Sequence, residues 1–134
     1  SKLGTFSLAM IAITPGGWYD WQTREVLPDS PPMKDLGSQL KAASDAGIGL
    51  IGMKAGRYLA GRSFLGWGNP DAFDKHYDQP LMKARLSEFQ RSYAYVLEHG
   101  LDAVNADMQT LAHLKENFIA AATSNQYFPN KPIV

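Results

Sequence analysis

Apolar and polar positions alternate along this chain in three repeating blocks, each a short apolar run followed by a helical period. Phe6 to Ile13, FSLAMIAI, is an apolar run of strand length between Gly4 and Pro15. Asp35 to Ala46 then places Leu36, Leu40 and Ala43 at helical spacing, with Asp35 near the start, where an acidic side chain suits the helix dipole. Gly47 follows where a left-handed residue ends a helix, because glycine has no Cβ to clash there. The second run, Ile48 to Met53, carries Ile48, Leu50 and Ile51 among glycines, a pattern that suits a parallel strand buried on both faces.

Helical period resumes from Leu81 to His99, with Met82, Leu86, Phe89, Tyr93, Val96 and Leu97 on one stripe and Ser87, Glu88 and Arg91 facing away. Gly100 closes it as Gly47 closed the first helix. Leu101 to Asn105 is a shorter third strand, Ala106 to Gln109 a turn, and Thr110 to Ala122 a last helix with Leu111, Leu114, Phe118 and Ala121 facing inward. Residues 123–134, with two prolines and two asparagines, read as a tail. Strand and helix alternate three times, which points to parallel β-α units.

Two long segments interrupt the pattern. Thr14 to Lys34 holds four prolines, paired glycines and Trp18, Tyr19 and Trp21, a loop composition with apolar anchors. Lys54 to Pro80 is a second polar and aromatic loop carrying Arg57, Tyr58, Arg62, Trp67 and His76. Both follow the carboxyl ends of strands, where barrels and open α/β sheets place their chemistry.

A chain of 134 residues with 45% hydrophobic residues suffices for one ordinary core. The 13 basic and 13 acidic residues form no block of like charge, so nucleic acid and anionic membrane surfaces are disfavoured as partners. The absence of cysteine excludes disulfides, iron-sulfur clusters and thiol catalysis and leaves the compartment open, cytoplasmic by default. No run approaches the roughly 18 apolar residues of a membrane span. Ser1 is not methionine and the first strand begins almost at once, which keeps a processed or excised fragment in view.

Several standard signatures are missing: there is no P-loop, HExxH or serine elbow. His76, His99 and His113 lack a second histidine or cysteine three or four residues on, and Asp71, Asp74 and Asp78 lack the glycine and terminal glutamate of a calcium loop. Lys54, directly after a buried strand, can reach a phosphate or carbonyl, or snorkel to solvent. Asn105 to Gln109 precedes a helix whose free amides would face the strand ends, as in phosphate-binding helix starts.

Two stretches, KAASDAGIGLIGMKAG and LEHGLDAVNADMQTLAHLKENFIAAA, resemble the closing part of the aldo/keto reductase family, in its bacterial branch with a methionine-lysine pair at the end of strand seven. On that resemblance FSLAMIAITP, IGLIGM and LDAVN correspond to strands six, seven and eight of a (β/α)8 barrel. The implied architecture over residues 1–122 is α/β, a partial TIM barrel of about three β-α units with long βα loops. A complete barrel needs about 250 residues.

The implied chemistry is interconversion of carbonyls and alcohols with NADP or NAD as cofactor, on a small carbonyl substrate once the barrel is completed. The family's catalytic Asp, Tyr, Lys and His come from earlier strands, so no catalytic residue is carried over and the isolated chain is expected to be inactive. The implied cofactor contacts are Met53, Lys54, Asn105, Asp107, Met108, Gln109, His113, Glu116 and Asn117. Glu116-Asn117 matches the pair at the adenine end, Met53 stands where a tyrosine stacks on the nicotinamide, and Met10 where a glutamine meets its amide. Asp107 stands near the usual partner of a 2′-phosphate and His113 near the usual arginine, so a ribose hydroxyl suits this chain better. The rival reading is a non-catalytic, barrel-derived interaction module that uses Trp18, Trp21 and Trp67 as anchors, or a chain that self-associates through open sheet edges.

Overall fold

The computed structural model describes residues 6–60, 68–108 and 110–127. Three parallel strands form its centre: β1 (Leu8–Thr14), β4 (Gly49–Met53) and β5 (Ala103–Asn105). The intervening helices are α1 (Gly37–Asp45), the short α2 (Gln79–Lys83), α3 (Glu88–Glu98) and, after β5, α4 (Leu111–Thr123). The three β-α alternations expected from the hydrophobic pattern are present. Leu8 to Ala12 pair in register with Gly49 to Met53, and Ile51 to Met53 with Ala103 to Asn105.

The helix ends explain why the pattern was readable. Gly47 has φ +72°, and the amides of Gly47 and Ile48 donate back to Ser44 and Ala43 at 2.9 and 3.0 Å, which closes α1 with a Schellman motif. Gly100, at φ +112°, ends α3 with Leu101 donating to Val96.

Three departures from the sequence reading have physical causes. The first long segment is not simply a loop. It folds into a hairpin, β2 (Gly17–Asp20) and β3 (Glu25–Val26), that pairs antiparallel with the end of β1 and extends the open sheet to the order β3-β2-β1-β4-β5. The expected helix from Leu81 to His99 is broken: Ala84 is extended, and Ser87 starts a new helix by accepting from the Gln90 amide while its own amide donates to the Gln90 side chain at 2.8 Å. Ser87 and Arg91 therefore do not simply face solvent. The Arg91 guanidinium turns in to the Leu86 carbonyl at 3.0 Å and to Asp74 at 3.6 Å.

The last departure concerns α4. Leu111, Leu114 and Phe118 are 66%, 49% and 73% exposed, and Ala121 is exposed too, whereas Ala120 is buried. The apolar stripe is real, but α4 turns its Glu116, Asn117 and Ala120 side to the body and leaves the other side uncovered among the described residues. A 3-10 turn, Ser124–Tyr127, continues α4 and packs Tyr127 on the core.

The core lies on one side of the sheet. Ile13, Leu36, Leu40, Leu50, Val96 and Leu101 are buried there, together with Phe73 and Tyr95. On the opposite side, Leu8 and Met10 are 63% and 54% exposed. Asp102 sets the β4-β5 register: its amide donates to Leu50 O at 3.0 Å and its carboxylate accepts from Leu50 N at 2.7 Å. Among the described residues no helix is long and apolar enough to cross a membrane.

Candidate functional site

The carboxyl ends of β4 and β5, the β2-β3 hairpin and the starts of α3 and α4 enclose an open cleft of about 990 Å³. That volume is at the upper end of the range for small-molecule sites. Its floor is made where β4 ends. Met53 is the last strand residue, and Lys54 turns the backbone at φ +71°, a left-handed conformation that costs a non-glycine residue free energy. The Arg57 amide closes this turn on the Lys54 carbonyl at 2.9 Å.

The turn is pinned to α3 from beneath. Fully buried Ser92 donates to the Ala55 carbonyl at 2.6 Å. Gly56 passes so close under α3 that a Cβ there would lie 2.7 Å from the Tyr93 hydroxyl and 2.9 Å from Phe89, so a larger residue would force those side chains to move. Burial, and secondarily Asp107, push the Tyr93 phenol above its ordinary pKa.

The hairpin supplies the opposite wall. Asp20 accepts from the Gln22 amide and the Thr23 hydroxyl, each at 2.9 Å, and Arg24 N closes the turn on Asp20 O. These bonds lower the Asp20 carboxyl pKa and hold Arg24 at φ +63°. The turn presents Trp21, 56% exposed, over the cleft. The Lys54 ammonium sits 3.7 Å from the centroid of its ring.

The third wall comes from β5 and α4. Asn105, Asp107, His113, Glu116 and Asn117 all line the cleft. Glu116 is oriented through α3: its carbonyl accepts from Gln90 Nε2 at 3.0 Å and its carboxylate from Ser87 Oγ at 3.5 Å. Asn117 Nδ2 is shielded from solvent and has no hydrogen-bond partner among the described residues. At the start of α4, Thr110 caps the His113 amide with its hydroxyl at 3.2 Å.

Seven of the nine residues expected from the sequence thus share one cleft: Met53, Lys54, Asn105, Asp107, His113, Glu116 and Asn117. Met108 does not line it and is 51% exposed, and Gln109 lies outside the described residues, as do Arg62 and Trp67. Met10 sits away from the cleft on the exposed side of the sheet. The sequence reading missed the hairpin wall, Tyr19, Trp21 and Arg24, and the α3 wall, Ser87, Glu88, Phe89 and Tyr93. The signal for the first was the cluster of Trp18, Tyr19 and Trp21, and for the second the Ser87-x-x-Gln90 capping pair.

Charge is divided across the cleft. Arg24, Lys54 and Arg57 lie on the hairpin and β4 side, Glu88, Asp107 and Glu116 on the α3 and α4 side. Such an arrangement can take an anionic group at one end and hydroxyl or amine donors at the other. No protein-family model matches the chain, and no curated protein or solved structure matches it significantly.

Proposed function

We propose that this chain is the cofactor-binding side of an aldo/keto reductase-like oxidoreductase, built as the last three β-α units of a TIM-type barrel, and that the cleft takes a nicotinamide dinucleotide. The observation that carries the reading is the charge division of one cleft at the carboxyl ends of parallel strands. Lys54, Arg24 and Arg57 suit the diphosphate, and the acidic wall suits ribose hydroxyls and the exocyclic amine of adenine. The residues present therefore fit the group.

When bound, the dinucleotide supplies a hydride to a carbonyl carbon or removes one from an alcohol. The chain's own part is to bind and orient. Met53 offers a polarisable thioether to the ring, Lys54 and Arg57 neutralise the diphosphate, and Glu116 is held in place by Ser87 and Gln90. Asp107 repels a 2′-phosphate, so NADH binds more tightly than NADPH. No general acid is assigned, and the isolated chain is expected to show no carbonyl-dependent oxidation of NADH.

Titration of the chain with NADH and NADPH, followed by tryptophan fluorescence and calorimetry, tests this. Saturable quenching with NADH the tighter ligand supports it, and the absence of binding overturns it. The alternative reading, a non-catalytic interaction module, draws on the exposed Leu111, Leu114, Phe118 and Ile119 of α4 and on Leu8 and Met10 of the sheet. Elution from size-exclusion chromatography that depends on concentration, without nucleotide binding, would favour it.

A further inference from the structure

The Lys54 ammonium has an unusual partner. Among the described residues it forms no ion pair with a carboxylate, although Glu88, Asp107 and Glu116 line the same cleft. It rests instead on the face of Trp21, 3.7 Å from the ring centroid. Two turns converge to make this contact, and both contain left-handed residues: Lys54 itself at φ +71° and Arg24 at φ +63°. The Asp20 hydrogen bonds fix the hairpin turn, and the Ser92 bond to Ala55 fixes the turn after β4. The contact therefore joins two independently braced pieces of backbone.

We propose that Trp21 is a positioning residue that holds the Lys54 ammonium in the cleft as a localised, unneutralised cation for a phosphoryl or diphosphate group. A carboxylate in the place of Trp21 would cancel the charge that an anionic ligand needs. An aromatic face attracts the ammonium without cancelling it and engages one side of a group that has three N–H donors. The remaining donors stay free for phosphate oxygens. Lysine otherwise loses substantial rotamer entropy when it binds, and holding it beforehand reduces that loss. The hairpin is thereby part of the binding site. The inference rests on the reading of the cleft as a site for an anionic ligand, and it adds to that reading a residue and a purpose for the β2-β3 insertion.

The experiment is a double-mutant cycle on the whole chain, with inorganic pyrophosphate as the calorimetric probe and NADH in parallel. Trp21→Leu is expected to weaken pyrophosphate binding about two- to five-fold, the range of an exposed cation-π contact. Trp21→Phe, which keeps a π face, retains most of the affinity. In a Lys54→Gln background Trp21→Leu has no further effect, an outcome that a merely structural tryptophan would not produce. The geometry has its own readout: in lysine-labelled protein the Lys54 Cε methylene protons lie upfield, under the indole ring current, and Trp21→Leu returns them to ordinary values.

An equal loss in both backgrounds, an unchanged affinity in Trp21→Leu, an unshifted Lys54 signal in the wild type, or no pyrophosphate binding at all would each overturn the proposal. Pyrophosphate binding with the expected cycle but no NADH binding would leave the Trp21-Lys54 pair standing and sink the dinucleotide reading. NADH binding with a loss independent of Lys54 would do the reverse.

Discussion

Ser92→Ala is the sharpest test of how the fold holds its cleft. Ser92 is fully buried in the middle of α3, and its hydroxyl donates at 2.6 Å to the carbonyl of Ala55, itself only 1% exposed. Ala55 stands between Lys54, which carries the left-handed turn, and Gly56, which passes under Phe89 and Tyr93. Removing one oxygen leaves almost no cavity, so the loss is dominated by a buried carbonyl deprived of its partner, about 1–3 kcal/mol. Alanine's better helix propensity offsets about 0.5 kcal/mol of that. A net destabilisation of about 1–2 kcal/mol is a large fraction of the roughly 5–15 kcal/mol that holds a domain together.

Urea unfolding followed by circular dichroism reads this directly. With a slope of about 2 kcal/mol per molar, the midpoint should fall by about 0.5–1 M while the slope stays unchanged. Ser38→Ala, on the exposed face of α1, serves as the control and should stay within about 0.5 kcal/mol. Amide exchange should rise first at residues 55–57, because that turn loses its buried hydrogen bond to α3. A midpoint that matches the control, with protected amides at 55–57, would refute the account of the turn as pinned by Ser92.

Three further perturbations follow from the same structure. Asp102→Ala removes the carboxylate that accepts from Leu50 N and should cost about 1.5–3 kcal/mol in urea unfolding, as for a hydrogen bond to a charged group, and an unchanged midpoint would refute its role in the β4-β5 register. Burial pushes the Tyr95 phenol up to about 12, and those of Tyr77 and Tyr93 upward as well. Their neutral forms are favoured in the fold, so stability is complete below the unfolded value near pH 10 and falls as pH rises towards 12; tyrosinate absorbance should then rise together with loss of ellipticity, and ionisation without unfolding would contradict it. His76 is shifted the other way, downward, by burial and then by Lys75 and Lys34, so it contributes stability above about pH 6.5 that is lost as pH falls through its lower folded value. His76→Gln should flatten that acid limb in urea midpoints measured between about pH 7 and pH 5, and an identical limb would assign the effect elsewhere.

The parallel strands and helix ends were legible because each is a local signal. Ile48 to Met53 is apolar whichever neighbour it meets, and Gly47 and Gly100 mark left-handed positions that few other residues tolerate. The face of α4 was not legible for the opposite reason. Leu111, Leu114 and Phe118 have the period of an inward stripe, but period specifies only that one face is apolar, and which layer covers it is a property of the rest of the fold. Likewise the stripe from Leu81 to His99 ran through the break at Ala84, because the helix period cannot register that Ser87 gains more by capping a new helix than by continuing an old one.

The hairpin shows why half of the cleft escaped the sequence reading while the other half did not. Met53, Lys54, Asn105, Asp107 and Glu116 lie at strand ends or on the helix that follows, so placing the strands placed them. Trp21 and Arg24 lie in a proline-rich segment whose pairing depends on long-range contacts: Trp18 N donates to Ser30 Oγ at 2.8 Å, Leu27 N to Trp18 O, and Met33 N to Pro15 O. Four residues of β2 and two of β3 are too few for a period of two to stand out among prolines. Yet the bonds that conceal the hairpin in the sequence are the ones that deliver its turn to the end of β4. The exposed Trp21 is then explained neither as an anchor buried against the body nor as an idle loop residue, since it meets the one cation that a left-handed backbone turn projects from the central strand.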